Sequence, residues 1–152
     1  MSIQDRLTAL GITLPEVSTP AAAYLPFVRT GSLVFISGNI ARKDGKAWVG
    51  QLGTSMATAE GQLAARSIAI ALLGTLNAAA GGLENVARVV KVMSQVNSSP
   101  TYTEHHLVTN GCSELLVDVL GQTVGAHARS AFGAAQLPMG ACMEIELIAE
   151  LK

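Results

Sequence analysis

A chain of 152 residues has room for one ordinary domain with a continuous core, and 49% hydrophobic against 14% charged residues excludes bulk disorder. A formal charge of −1, with ten Lys and Arg residues scattered and no run of three, excludes the concentrated cationic face of a nucleic-acid-binding protein. The charged content lies well below the roughly 25% of an average domain, so part of the apolar surface is expected to be covered by another subunit.

In chain order, Ile3, Leu7 and Leu10 have helical spacing and Gly11 stops the run, which predicts a short N-terminal helix. Leu14-Pro15 to Pro20 reads as an extended connector, so residues 1–20 are an appendage to a single domain spanning 1–152. Tyr24 to Arg29 and Leu33 to Ser37 are β-rich runs around Thr30-Gly31-Ser32 and predict a hairpin. Asp44-Gly45, a dipeptide suited to a type I′ turn, predicts a small second ribbon between Asn39–Arg42 and Ala47–Val49. From Thr58 to about Ala80, Ile68, Leu72 and Leu76 recur every four residues, which predicts a long Ala-lined helix ended by Gly81-Gly82. Val86 to Asn97 is Val-rich and predicts a strand, Thr103 to Leu120 a second helix, and Ala128–Ala135 and Cys142–Leu151 the last two strands.

This β-β-α-β-α-β-β order predicts an α+β sandwich with two long helices on one face of a mixed sheet. The other face is left bare, and Val34, Ile36, Val90 and Val92 give it little polarity, which again points to an oligomer. The longest apolar stretch, Ile68 to Leu76, is interrupted by Gly74 and Thr75 and is shorter than the roughly 20 residues of a membrane span. With Cys112 and Cys142 as two reduced, buried thiols and no apolar export segment at the start, the expectation is a cytoplasmic protein that engages no membrane.

Arg129 is the first candidate for chemistry, because it shares a strand face with Ala131 and Gly133, which leaves open space beside a long cation. A guanidinium matches a carboxylate with two parallel hydrogen bonds. An ordinary surface arginine or an intersubunit ion pair fits the spacing as well. Glu144, on the alternate face of the last strand, could hold a water for attack or be a solvated edge residue, and Glu146 shares its facing. Tyr24 could cap a pocket or fill the core; Asn110 could bind ligand or cap the second helix. His105, His106 and His127 lack metal-ligand spacing, so no metal is expected, and Gly50–Gly53 and Gly81-Gly82 lack the pattern of a phosphate loop.

The stretch from Ala128-Arg129-Ser130 through Leu137-Pro138-Met139-Gly140 to Glu144-Ile145-Glu146 resembles the signature of the RidA/YjgF family. Phe35-Ile36-Ser37-Gly38-Asn39-Ile40 resembles that family's strand ending in Ser-Gly, and the likeness runs over roughly 21–151. The long Ala-rich helix, Arg88–Val92 and Val108–Gly111 look most like the longer bacterial branch labelled an endoribonuclease or chorismate-mutase-like domain. The resemblance implies a homotrimer whose sheets form a central barrel, with a cleft between neighbouring subunits that takes a small carboxylate-bearing metabolite. It implies hydrolysis of enamine and imine intermediates, of the 2-iminobutanoate and 2-iminopropanoate kind, to 2-oxo acids and ammonia without a cofactor. Arg129 would bind the carboxylate, Glu144 would position water, and Tyr24, Asn110 and Ala131 would line the cleft. Ala131 stands where the deaminase branch often has cysteine, and Gly53-Thr54-Ser55 precedes the long helix in place of that branch's acidic turn. A non-catalytic carboxylate-binding trimer is the alternative. An endoribonuclease or translation inhibitor would need a cationic groove that this composition does not offer. A chorismate mutase would need more cations than one cleft arginine, unless a neighbouring subunit supplies another.

Overall fold

The computed structural model describes residues 1–17, 19–20 and 22–152. Helix α1 (Ile3–Ala9) opens on a capping box in which the Ser2 hydroxyl accepts from the Asp5 N–H and the Asp5 carboxylate accepts from the Ser2 N–H. After the connector come β1 (Phe27–Thr30), β2 (Leu33–Ile40), the ribbon β3 (Arg42–Lys43) and β4 (Lys46–Ala47), and helix α2 (Thr58–Ala80). Strand β5 (Val86–Asn97) leads to α3 (His105–Val108), α4 (Asn110–Leu120) and α5 (Gln122–Gly125), then to β6 (Ala128–Ala134) and β7 (Met143–Leu151). The five long strands form one mixed sheet in the order β1-β2-β7-β5-β6, parallel only between β5 and β6.

One face of this sheet is the core. Ile68, Leu72 and Leu76 of α2 and Leu115, Leu116 and Val119 of α4 pack on Val34, Ile36, Val92, Val96, Ile145 and Leu147, all essentially inaccessible to solvent. By length and composition α2 could cross a membrane, but its apolar face lies against β2, β7 and α4 as a core helix.

Several expectations need correction. Val34, Ile36 and Val92 do not furnish the uncovered face; they point into the core, and Val90 falls where the β5–β7 register slips between Val89 and Lys91. The uncovered face instead carries Phe35, Ile148, Met93 and Phe132 among Lys91, Gln95, Glu144 and Glu146, with Val28 paired to Phe35 at its edge. Its apolar character is real, with Val28, Phe35 and Phe132 exposed, but it rests on different residues. Tyr24 lies in a bend before β1 rather than in the strand, and is half exposed. Strand β2 runs on to Ile40 through a bulge between Ile36 and Asn39 that contains Gly38.

The helix expected from Thr103 to Leu120 is divided at Thr109. This buried β-branched residue turns its hydroxyl back to the His105 carbonyl (2.8 Å) and onto Ser94 Oγ (2.9 Å), a local bond that competes with regular helix and bends it. The chain then makes an additional turn, α5, that the sequence pattern did not announce.

Helices α2 and α4 approach closely where Gly111 faces the backbone of Gln62, and a Cβ on Gly111 would run into the Gln62 carbonyl. Alanine is intrinsically better than glycine in a helix by about 1 kcal/mol, yet forcing two packed backbones apart costs about 1–3 kcal/mol. Gly111→Ala is therefore expected to lower the unfolding free energy measured in urea; an equal or higher value would show that the two helices separate without cost.

Candidate functional site

Two strands of unbroken register decide where the candidate residues point. Arg129 of β6 pairs with Val92, and Val92 with Leu147, both buried, so Arg129 projects to the helix-covered face. Glu144 pairs with Gln95, and Gln95 with Phe132, so Glu144 projects to the uncovered face. The sequence candidates therefore divide into two groups within one chain, Arg129 with Asn110 and Ala131 on one side, Glu144 with Tyr24 on the other.

The Arg129 guanidinium, part-buried, reaches across to the α3–α4 junction. Its Nη1 donates to Asn110 Oδ1 (2.8 Å) and Ser113 Oγ (3.2 Å), and its Nη2 donates to the His106 carbonyl (2.8 Å). These bonds use three of the five N–H donors of a guanidinium and leave two for a ligand. Asn110 is the first residue of α4, with its side chain committed to Arg129 rather than to capping. Ala131 lies on the same strand face, opposite Ser94. The open space expected above Gly133 is filled, because a Cβ there would sit 2.7 Å from Ser98 Oγ and 3.1 Å from His105 Nε2, which are themselves bonded at 2.9 Å.

Ser113 and His127 complete the setting of Arg129; Ser113 is absent from the sequence candidates, and His127 enters them only as a possible metal ligand. His127 Nδ1 lies 2.6 Å from the Gly125 carbonyl, which can only accept, so the ring proton is on Nδ1. Burial pushes the His127 pKa below the usual histidine range, and the neighbouring Arg129 charge adds to this. The neutral Nε2 then accepts from the Ser113 hydroxyl (2.9 Å), and Ser113 turns its lone pairs toward Arg129. The signal was present: Asn110 and Ser113 are three apart on one helix, hence on one face, and His127 is two residues before Arg129.

Glu144 lines a cavity of about 120 Å³ together with Tyr24, Gly38, Asn39, Arg42 and Met139. A Cβ on Gly38 would stand 2.5 Å from Glu144 Oε1, so the carboxyl group lies over the bulge and needs glycine there. Burial raises the Glu144 pKa above the ordinary glutamate value, and the like charge of Glu146 adds to the shift. Met139 holds φ +60, a left-handed conformation for a non-glycine residue, at the cavity wall. Among the described residues the one ion pair is Arg88–Glu150 at 3.7 Å, so Arg42, Arg129 and Glu144 each lack an opposite charge within 4 Å.

Cys112 and Cys142 are buried, and burial pushes their thiols up to about 12 and about 11, which leaves neither a nucleophile. Among the described residues no three His, Cys, Asp or Glu side chains converge as a metal site.

Residues 4–151 match the profile of a family described as "YjgF/chorismate_mutase-like, putative endoribonuclease". Protein TCP17 of Trypanosoma cruzi is 45% identical over 150 residues, covering 98% of this chain and 94% of that protein. The crystal structure of Atu1372 from Agrobacterium tumefaciens, of unknown function, superposes with a TM-score of 0.89 at 41% identity, covering 99% and 93% of the two chains. The crystal structure of a "putative endoribonuclease" from Shewanella oneidensis superposes with a TM-score of 0.93 at 29% identity, covering 99% and 100% of the two chains.

The His127 geometry generates a pH prediction. A histidine whose folded pKa is depressed contributes stability that is present above the unfolded value and lost as pH falls through that value toward the folded one. Unfolding free energy measured in urea is expected to fall as pH drops below the usual histidine range, and His127→Gln should flatten that slope. A slope identical in the variant would mean that His127 does not carry it. Ser113→Ala, which removes one bond to Arg129, is expected to cost about 0.5–1.5 kcal/mol by the same measurement.

Proposed function

The chain belongs to the YjgF/chorismate mutase-like family, and from that premise we propose that it is a cytoplasmic, homotrimeric deaminase that hydrolyses enamine and imine intermediates to 2-oxo acids and ammonia. The observation that carries this reading is the pairing of a fixed guanidinium that keeps two donors for a carboxylate with a desolvated glutamate in its own cavity. Because the two project from opposite faces of one sheet, the working site takes Arg129 from one copy and Glu144 from its neighbour. The exposed apolar residues of the uncovered face, Phe35 and Phe132, support burial against another copy. Two buried free thiols are consistent with a reducing compartment.

The chemistry asks little of the protein. Arg129 holds the substrate carboxylate, and the enamine takes a proton on carbon to become the imine. Ionised Glu144 accepts a proton from a water whose oxygen attacks the imine carbon, giving a carbinolamine. Glu144 returns that proton to the nitrogen, and the hydroxyl proton then passes to the same nitrogen as the C–N bond breaks, so that ammonia leaves and the carbonyl forms. Holding the carboxylate and orienting one water replaces a diffusive encounter by a positioned one, and Glu144, with its pKa moved toward neutrality, is the better base. Tyr24 closes the rim on the Glu144 side, while Ala131 leaves room near Arg129. An amino acid is the ligand in the structure of Escherichia coli TdcF with bound serine, which shares the fold at 24% identity and a TM-score of 0.63.

An endoribonuclease activity finds less support. The net charge is −1, and His105 and His127 are each tied to a serine rather than presented as an acid–base pair.

The decisive experiment follows ammonia and 2-oxo-acid release from enzymatically generated 2-aminoacrylate and longer imines. Arg129→Ala and Glu144→Gln are each expected to reduce the acceleration about a hundredfold or more, the scale of a lost acid–base group. Mixing the two dead variants should restore roughly a quarter of the sites, because a site shared between copies regains both residues by random assembly. No acceleration by the native protein would end the deaminase reading; no recovery on mixing would place both groups in the same copy. The raised Glu144 pKa also predicts an acid limb in kcat/KM at a pH above the ordinary glutamate value, activity falling as the carboxylate is protonated. That limb should vanish from the residual activity of Glu144→Gln.

A further inference from the structure

Arg42 has no part in the mechanism above, yet it lines the cavity that holds Glu144 and Tyr24. The Asp44-Gly45 turn, with φ +53 and +74, folds β3 onto β4 so that Arg42 and Lys43 alternate in direction. Lys43 goes to the Trp48 ring, with Nζ 4.9 Å from its centroid, while Arg42 is left to the Glu144 cavity and to a second cavity beside it, lined with Glu16, Ser67 and Thr75. Among the described residues no carboxylate lies within 4 Å of Arg42, including Glu144 in the same cavity. A cation and a carboxyl group thus face one small space without neutralising each other.

We propose that Arg42 is a specificity-determining residue that selects ligands carrying a second carboxylate, so that the substrate class is the 2-imino and 2-enamino derivatives of dicarboxylic acids. The proposal rests on the shared-site reading, in which Arg129 of one copy holds the carboxylate next to the reacting carbon. Arg42 then receives the distal carboxylate on the Glu144 side, and the carbon between them faces Glu144. The site has two cations for such a ligand, one from each copy, which removes the objection that a single arginine is too few for a dianion.

The test measures equilibrium binding, by calorimetry, of 2-oxoglutarate and of 2-oxopentanoate, which match in length and differ by one carboxylate. Native protein is expected to prefer the dicarboxylate about tenfold to a hundredfold, the scale of a charge-assisted pair. Arg42→Ala should bring that ratio close to one, and Arg42→Lys should keep part of it, since a single charge remains without the planar fork. A native ratio near one, or a preference that survives in Arg42→Ala, overturns the proposal. Imine turnover is followed separately on the same preparations. A dicarboxylate preference that depends on Arg42 but comes without imine hydrolysis supports this assignment of ligand class while defeating the deaminase reading. Hydrolysis of monocarboxylic and dicarboxylic imines at equal kcat/KM does the reverse.

Discussion

The period-two alternation of a pleated strand governs the site more than any single contact does. Between Lys91 and Val96 the register from β6 through β5 to β7 runs without a slip, so a residue on β6 and its counterparts across the sheet share a face. Arg129 and Glu144 fall on opposite parities of that ladder. Moving either by one position would exchange core for surface along the whole strand, putting Leu147 and Ile145 into solvent and Glu146 and Glu144 under the helices. The separation of the two groups is therefore locked in by the hydrophobic core: the packing that buries Ile145 and Leu147 also keeps Arg129 and Glu144 on opposite faces of one chain.

The helices position the cation rather than only covering the sheet. The bend at Thr109 brings the His106 carbonyl, the Asn110 amide and the Ser113 hydroxyl to one point above β6. An uninterrupted helix would carry the His106 carbonyl into its own backbone ladder, where it would be bonded to the residue one turn on. The buried pair Thr109–Ser94 thus links a core strand to the setting of the Arg129 guanidinium. Restricting a flexible arginine in advance lowers the entropy lost when a ligand arrives, which is the advantage of a preorganised fork over a solvent-borne one.

Much of this was legible from residue order. The Ile68, Leu72 and Leu76 repeat gave α2, the Asp44-Gly45 pair gave the ribbon, and the alternation from Met143 to Ile148 gave the two faces of β7 correctly. The composition of the uncovered face was misread, because Val34, Ile36 and Val92 have the same apolar character whichever way they point, and only their register against β7 separates core from surface. The division of the second helix was hidden because the competing bond from Thr109 depends on Ser94, fifteen residues away. Arg129, Asn110, Glu144 and Tyr24 were all singled out, but their distribution between two faces depends on pairing partners that spacing along one strand does not contain. Ser113 is not among the sequence candidates, and His127 enters them only as a possible metal ligand, because the tie of either to Arg129 depends on the other being beside it.

The turn at Met139 carries an implication for how this protein could change. Holding a side-chain-bearing residue at φ +60 costs on the order of 1–3 kcal/mol unless its surroundings compensate, and Met139 is largely exposed with little packing to do so. Glycine or asparagine would relax the backbone there, so selection for heat resistance alone would favour replacing it. Met139, however, also lines the pocket around the Glu144 carboxyl group, and removing its side chain would widen that pocket. Position 139 is thus where backbone relaxation and the shape of the Glu144 pocket pull in opposite directions, so that a gain in thermal robustness there comes with a wider cavity.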